Sequence, residues 1–444
     1  MHRAMLVLMS LCLSCAAFAV DPPKIPDGFT ALFNGRDLDG WWGASTEDPR
    51  GWMALPPEAL AEKKKRSLEN IRQHWRVEDG QLINDGNGLY LTTDKDYADF
   101  ELVLDYKTVP GADSGIYLRG IPQVQIWDTT EAGGKWGIGA DKGSGGLWNN
   151  AAGEPGKDPL VLADKPFGQW NHFRIVMVGE RVSVWLNDQL VVDHARLDSY
   201  FDHTEPVPRT GPIQLQTHGG EIRWRNVAIR EIDTPEANEI LRNRGFAHSH
   251  DPTPPYASIF NGQDFTGWSG PTDNYEVVDG SIRCRPGHGG TIYTDAIYDD
   301  FQVRLEILLP PGGNNGLAIR YPGQGDTAYV GMCELQVLDN TSPKFAKLDP
   351  RQYHGSVYGQ VAAHRGYLRK PGVWNFQEVT VNGSTITVEL NGTVILDADL
   401  SKVTEFMYEP EKFAGRTRTQ GHFGFAGHND PVAYRNIEIR ELKD

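Results

Sequence analysis

The chain has 444 residues, enough for two domains that each bury a core, and its 49 Gly and 28 Pro stand largely at turn positions between short apolar runs, as in an all-β chain. A formal charge of −16, with no basic block beyond Lys63 to Arg66, excludes a nucleic-acid surface, because phosphates need a basic face. Glu58, Glu62 and Glu69 flank that tetrad, which reads as a solvated helix face.

At the N-terminus His2 and Arg3 precede an apolar run from Met5 to Cys15, and Ala17-Phe18-Ala19 places small residues where a signal peptidase reads. Residues 1–19 are therefore expected to be a signal peptide cleaved after Ala19, which implies a periplasmic or secreted protein. Cys12 and Cys15 fall inside this segment, leaving Cys284 and Cys333, which an oxidising compartment permits to pair. No later apolar run is long enough for a membrane helix.

After a Pro-rich lead-in (residues 21–27) the chain writes one pattern twice. FNGRDLDGW (Phe33 to Trp41) returns as FNGQDFTGW (Phe260 to Trp268), and SGIYLRG (Ser114 to Gly120) answers NGLAIRYPG (Asn315 to Gly323). VQIWD answers LQVLD, WNHFRIVMVG answers WNFQEVTVNG, and GPIQLQTHGGEIRWRNVAIREI answers GHFGFAGHNDPVAYRNIEIREL. A repeat of about two hundred residues is too long for a solenoid and reads as two copies of one domain, 27–232 and 256–444, joined by a linker at 233–255. The Phe33/Phe260 pair is offset by 227 residues and Arg119/Arg320 by 201, so the first copy holds 26 extra residues around Asp48 to His74. Pro56-Pro57 followed by EALAEKKKRSLENI predicts a helix there with a thin apolar stripe of Leu60, Leu68 and Ile71, either a lid or, the favoured reading, a brace against the neighbouring domain.

From Trp75 onward the period is that of strands. Asp79-Gly80 and Asp279-Gly280 mark two-residue hairpins, and FELVLDYKTV and FQVRLEILL alternate apolar residues. ITVELNGTVILD forms a meander with turns at Asn382-Gly383 and Asn391-Gly392, matched in the first copy at Gly179-Glu180 and Asn187-Asp188. Many short strands with little helix imply a two-sheet sandwich. The linker predicts a short helix at Glu236 to Arg242, with His248 and His250 facing solvent.

No G-x-S-x-G, H-E-x-x-H, EF-hand or Walker signature occurs. What recurs is polar residues inside strand-like segments. In CELQVLD, Glu334 and Gln336 share one face; Arg320 shares its side with Ala318; His428 follows the small residues Gly424 and Ala426; Arg435 precedes Asn436 on the last strand. Such residues either converge on one sheet face or serve locally, Arg320 pairing with Glu334 and His428 capping a turn. In the first copy Arg119, Gln125, Asp128, His218 and Arg225 match Arg320, Gln336, Asp339, His428 and Arg435, but Gln123 stands in place of Glu334. An amide is no base near neutral pH, so carboxylate chemistry belongs to the second copy unless Asp113 or Glu131 substitutes. Trp127, Trp136 and Trp148 either pack in the core or stack on a sugar ring.

In this order the motifs FNG-x-D-x-x-GW, SGIYLRG or NGLAIRY, E-x-Q-[IV]-x-D, G-x-WN and GHxxPVxYRNIxIREL resemble the 3-keto-disaccharide hydrolase domain family, over both copies. The resemblance implies two tandem concanavalin A-like jelly-roll sandwiches, the first carrying the helical insertion, and extracytoplasmic cleavage of glycosides already oxidised at C3 by a partner sugar dehydrogenase. A C3 ketone acidifies the C2 proton, so a base can remove it, the C1 substituent can leave, and water can then add. Under that implication Glu334 or His428 is the base; Arg320, Arg435 or a divalent cation stabilises the enolate; and Asp339 or His354 orients. Gln336, Tyr358, Arg119, Gln125, Asp128, Trp148, His218 and Arg225 would bind substrate. A metal is compatible with a Glu, Asp and His at hand, although no ligand spacing demands one. The alternative is a non-catalytic, lectin-like carbohydrate-binding protein.

Overall fold

The computed structural model describes residues 23–246 and 255–442. The apolar leader with Cys12 and Cys15, and the pair His248 and His250, lie outside the described residues. Two β-sandwiches follow one another, each pairing an eight-stranded sheet with a five-stranded one. The first copy orders its smaller sheet Trp41–Ala44, Tyr90–Thr93, Gln214–Leu215, Ser114–Leu118, Ile121–Ile126. The second repeats that order with Trp268–Ser269, Gly289–Thr294, His422–His428, Asn314–Tyr321 and Cys333–Leu338.

Alternation decides what fills each sandwich. Ile116, Leu118, Val124 and Ile126 meet Leu102, Leu104, Ile175 and Met177 in the first copy. Leu317, Leu335 and Val337 meet Val303, Leu305, Val379 and Val381 in the second. The intervening residues of the smaller sheets turn outward, where a site can form. Tight hairpins hold the register: Asp79-Gly80, Asp279-Gly280 and Asn391-Gly392 all take positive φ at both residues, as two-residue turns require. One turn differs from its sequence assignment. Asn382 still pairs with Thr385, so Gly383-Ser384 makes the corner. Cys284 and Cys333 are both buried and free.

The inserted helix spans Pro57–His74 and does not brace the second copy. It lies on its own domain's edge strand, where the Ser67 hydroxyl accepts from Gly43 N at 2.8 Å and the Asn70 side chain accepts from Leu89 N at 2.7 Å. Gly43 is glycine because a Cβ there would sit 2.7 Å from Ile71 Cγ2. The copies are joined instead by the helix Thr234–Asn243, capped by Asp233, whose Ala237 and Leu241 pack with Val176, Val178 and Phe376. Beside it the turns 179–180 and 391–392 dock directly, Glu180 N donating to Gly392 O at 2.8 Å.

Candidate functional site

In the strand Cys333–Leu338 the cysteine, Leu335 and Val337 enter the core, so Glu334 and Gln336 stand on the outer face of the five-stranded sheet. Glu334 is only 4 % exposed, and its Oε1 lies 3.4 Å from Nε2 of His428, whose side chain is 46 % exposed. His428 is fixed through its backbone N, which donates to Asn315 Oδ1 at 2.7 Å. Gln336 Nε2 donates to Asn314 Oδ1 (2.6 Å) and Asn315 O (3.1 Å). Around them opens a cleft whose wall includes Asp326, Tyr329, Phe345, Gln352 and Tyr358. Gln352 Nε2 donates to the Tyr358 hydroxyl at 3.3 Å. The hydrogen bond to Glu334 raises the His428 pKa against the opposing effect of burial, with Asp326 adding to the rise. Burial pushes the Tyr358 hydroxyl up to about 12, so it stays a proton-bearing donor.

Asp326 and Tyr329 were not singled out from sequence. The signal was a second change of offset: Arg119/Arg320 differ by 201 residues but Asp128/Asp339 by 211, so the second copy holds ten extra residues. They include the short helix Thr327–Val330, capped by Asp326.

Four expected members of this site lie elsewhere. Arg320 has φ +48 at a bulge between Ala318 and Tyr321, which breaks the alternation that put it beside Ala318. Its guanidinium is fully buried, donating to Asp299 O (2.9 Å), Gly383 O (2.8 Å), Arg418 O (2.9 Å) and Asp300 Oδ1 (2.6 Å). Arg435 projects from the outer face of the opposite sheet, stacked on Trp374 at 4.1 Å and donating to Glu306 Oε2 at 2.9 and 2.8 Å. Asp339 closes a turn, accepting from Gly312 N, Thr341 N and Thr341 Oγ1; burial opposes its ionisation, but these bonds prevail and hold its pKa low. His354 is a core residue. Its Nδ1 accepts from Leu338 N, its Nε2 donates to Gln377 Oε1 at 2.9 Å, and burial lowers its pKa to about 4.

The first copy repeats these structural uses. Arg119, at φ +53, is buried against Ala98 O, Pro208 O and Asp99; Arg225 stacks on Trp170 at 4.1 Å and donates to Asp105; Asp128 closes a turn on Gly111 and Thr130. Gln125 and His218 do meet, both bonding Asp113, at 2.7 Å (Nε2 to Oδ1) and 2.9 Å (Nδ1 to Oδ2). Trp127 is buried, Trp148 is half-buried beneath the Lys157 ammonium, and Trp136 is exposed. Glu131 is exposed at the start of a 3-10 turn.

Among the described residues no three His, Cys, Asp or Glu side chains gather closely enough to hold a metal ion. Asp339 is consumed in its turn and does not join Glu334 and His428. Also among the described residues, no helix is long and apolar enough to cross a membrane.

A family profile described as a 3-keto-alpha-glucoside-1,2-lyase-like domain matches residues 28–230 and again 255–440. The chain is similar to a 3-keto-disaccharide hydrolase of Bacteroides thetaiotaomicron, 26% identical over 229 residues, covering 42% of this chain and 78% of that protein. Two solved structures from Parabacteroides distasonis ATCC 8503, both described only provisionally as glycosyl hydrolases, are also similar. One is 24% identical, covering 43% of this chain and 100% of its own, with a TM-score of 0.38. The other is 25% identical, covering 45% and 98%, with a TM-score of 0.35.

Proposed function

The chain belongs to the 3-keto-alpha-glucoside-1,2-lyase-like domain family, in two tandem copies, and on that premise we propose that its second copy cleaves the glycosidic bond of a 3-keto glycoside. The observation that carries the reading is the pairing of an almost buried Glu334 with a half-exposed His428 at 3.4 Å on a cleft wall.

Glu334 takes the C2 proton, whose acidity the C3 ketone supplies. The C2–H electron pair forms C1=C2 as the C1–O bond breaks, and the departing oxygen receives a proton. Water then adds, its hydroxyl to C1 and its hydrogen to C2, giving net hydrolysis. Arg320 and Arg435 are committed elsewhere, so the cation beside the developing enolate is His428, whose raised pKa favours the imidazolium. The protonated Tyr358 hydroxyl, the Tyr329 hydroxyl and the Asn314, Gln336 and Gln352 amides are further donor groups on the cleft wall. Of the two carboxylates on the cleft wall Asp326 is held as the cap of the helix Thr327–Val330, and one carboxylate paired with an imidazole suits elimination better than the two-carboxyl scheme of ordinary glycosidases. The substrate's C3 carbonyl has to come from an enzyme that oxidises the sugar hydroxyl, and the apolar leader supports work outside the cytoplasm, in the periplasm or beyond.

Incubation of the purified protein with a 3-keto glucoside should release the aglycone. Saturable sugar binding without release would leave a lectin-like protein instead.

A further inference from the structure

The outer face of the first copy's smaller sheet differs from the second by an exchange. Ser114 pairs with Ile126 as Asn315 pairs with Val337, so Asp113 occupies the place of Asn314 and Gln123 that of Glu334. Acid and amide have traded positions across neighbouring strands, and a carboxylate–imidazole contact survives the trade through Asp113 and His218, at 2.9 Å.

The exchange alters which group is free. Asp113 is almost buried and fully engaged, accepting from Gln125 Nε2 and pairing with the Lys135 ammonium as well as with His218. Its bond to Nδ1 of His218 places the imidazole proton on Nδ1 and leaves the Nε2 lone pair open, on a side chain 58 % exposed. In the second copy the imidazole instead turns Nε2 toward the carboxylate. Beside the pair, Gln123 and Gln216 are only 5 % and 6 % exposed, yet the Oε1 atom of each has no hydrogen-bond partner. Both flank Gly115: Gln216 N donates to its carbonyl, and a Cβ on it would come within 2.8 Å of Gln123 Oε1. Buried acceptors without donors are costly, and ligand hydroxyls would satisfy them.

Resting on the carbohydrate reading above, we propose that the first copy is a second catalytic site for 3-keto glycosides, in which the imidazole of His218 replaces a carboxylate as the base. Nε2 takes the C2 proton, C1=C2 forms as C1–O breaks, and the same imidazolium returns the proton to the departing oxygen. Asp113 is a positioning residue, Lys135 places a positive charge beside the imidazole, and Gln123 and Gln216 accept from sugar hydroxyls.

The test measures aglycone release from a 3-keto glucoside by the full chain carrying Glu334→Gln, alone and with His218→Gln. Glu334→Gln should keep measurable release, and adding His218→Gln should lower what remains roughly a hundredfold or more. An active wild type with a fully inactive Glu334→Gln overturns the second site and leaves the function of the second copy standing. Release by Glu334→Gln that ignores His218→Gln overturns it too, and an inactive wild type overturns both readings. A reading independent of variant folding comes from the His218 ring resonances of the Glu334→Gln protein: they should shift on addition of the 3-keto glucoside, and an unmoved signal at saturating sugar overturns the proposal.

Discussion

Glu334 and His428 reach each other at 3.4 Å across an intervening strand because that strand presents Gly316 between them. A Cβ at Gly316 would lie 2.2 Å from Glu334 Oε1 and 2.5 Å from its Cδ and Cγ. The backbone there is not left-handed, so the obstacle to a side chain is steric. In the His218→Gln background Gly316→Ala should therefore displace the carboxylate, lowering release from a 3-keto glucoside by roughly a hundredfold, the usual worth of a positioned base. Circular dichroism should show the β-sandwich retained. Undiminished release by a folded Gly316→Ala protein in that background would mean that Glu334 need not stand where it does.

The same pair sets a pH dependence. The Glu334 hydrogen bond raises the His428 pKa above the free-imidazole value of 6.5, burial acting in the opposite direction. A raised imidazole pKa gives stability that is complete below the unfolded value and is lost as pH rises through the folded one. An NMR titration should find His428 above 6.5 in the wild type and lower in Glu334→Gln. The difference in melting temperature between the two proteins should shrink as pH rises past neutrality. A His428 pKa unmoved by Glu334→Gln would show that the two groups are not coupled.

Much of this arrangement was legible in the chain. Period-two alternation put Glu334 and Gln336 outward, and Asp79-Gly80, Asp279-Gly280 and Asn391-Gly392 located corners that hold register, while Asn382-Gly383 missed its corner by one residue. The arginines misled because alternation survives only where the ladder is regular. Left-handed backbone at Arg119, in the turn after its strand, and at Arg320, in a bulge, turns those side chains inward, and a repeated arginine beside an outward carboxylate looks the same in sequence whichever way it points. Arg435 failed for a different reason: its strand belongs to the opposite sheet, and sequence order does not say which sheet a strand joins. The helix Pro57–His74 shows the same gap, since its thin apolar stripe fits its own edge strand as readily as a neighbour.

Arg320 accordingly has a structural consequence to test. Arg320→Ala would strip donors from three carbonyls and leave the half-buried Asp300 carboxylate without its cation. Removing one partner of a fully buried pair costs about 3–5 kcal/mol, and the partial exposure of Asp300 places this one toward about 3 kcal/mol. Urea denaturation should record a loss of that size, while release per folded molecule in the absence of urea stays near the wild-type value. A stable variant with abolished release would return the arginine to the chemistry.

The junction between the copies offers a last, independent expectation. Gly392 has φ +80, a conformation that costs an L-residue about 1 kcal/mol, and a Cβ there would meet Val178 O at 2.5 Å and Leu241 Cδ2 at 2.9 Å. Gly179 faces it in the same way, its own Cβ position 2.4 Å from Asn391 O. Between these turns Glu180 N donates to Gly392 O, and nearby Arg181 pairs with Glu389 across the interface. Such close backbone approach has no slack, so Gly392→Ala should push the sandwiches apart without unfolding either, since each keeps its own core. Calorimetry should then resolve two transitions where the wild type gives one, and the radius of gyration in solution should rise. A single unshifted transition in Gly392→Ala would show that the close approach of these two turns is not what holds the copies together.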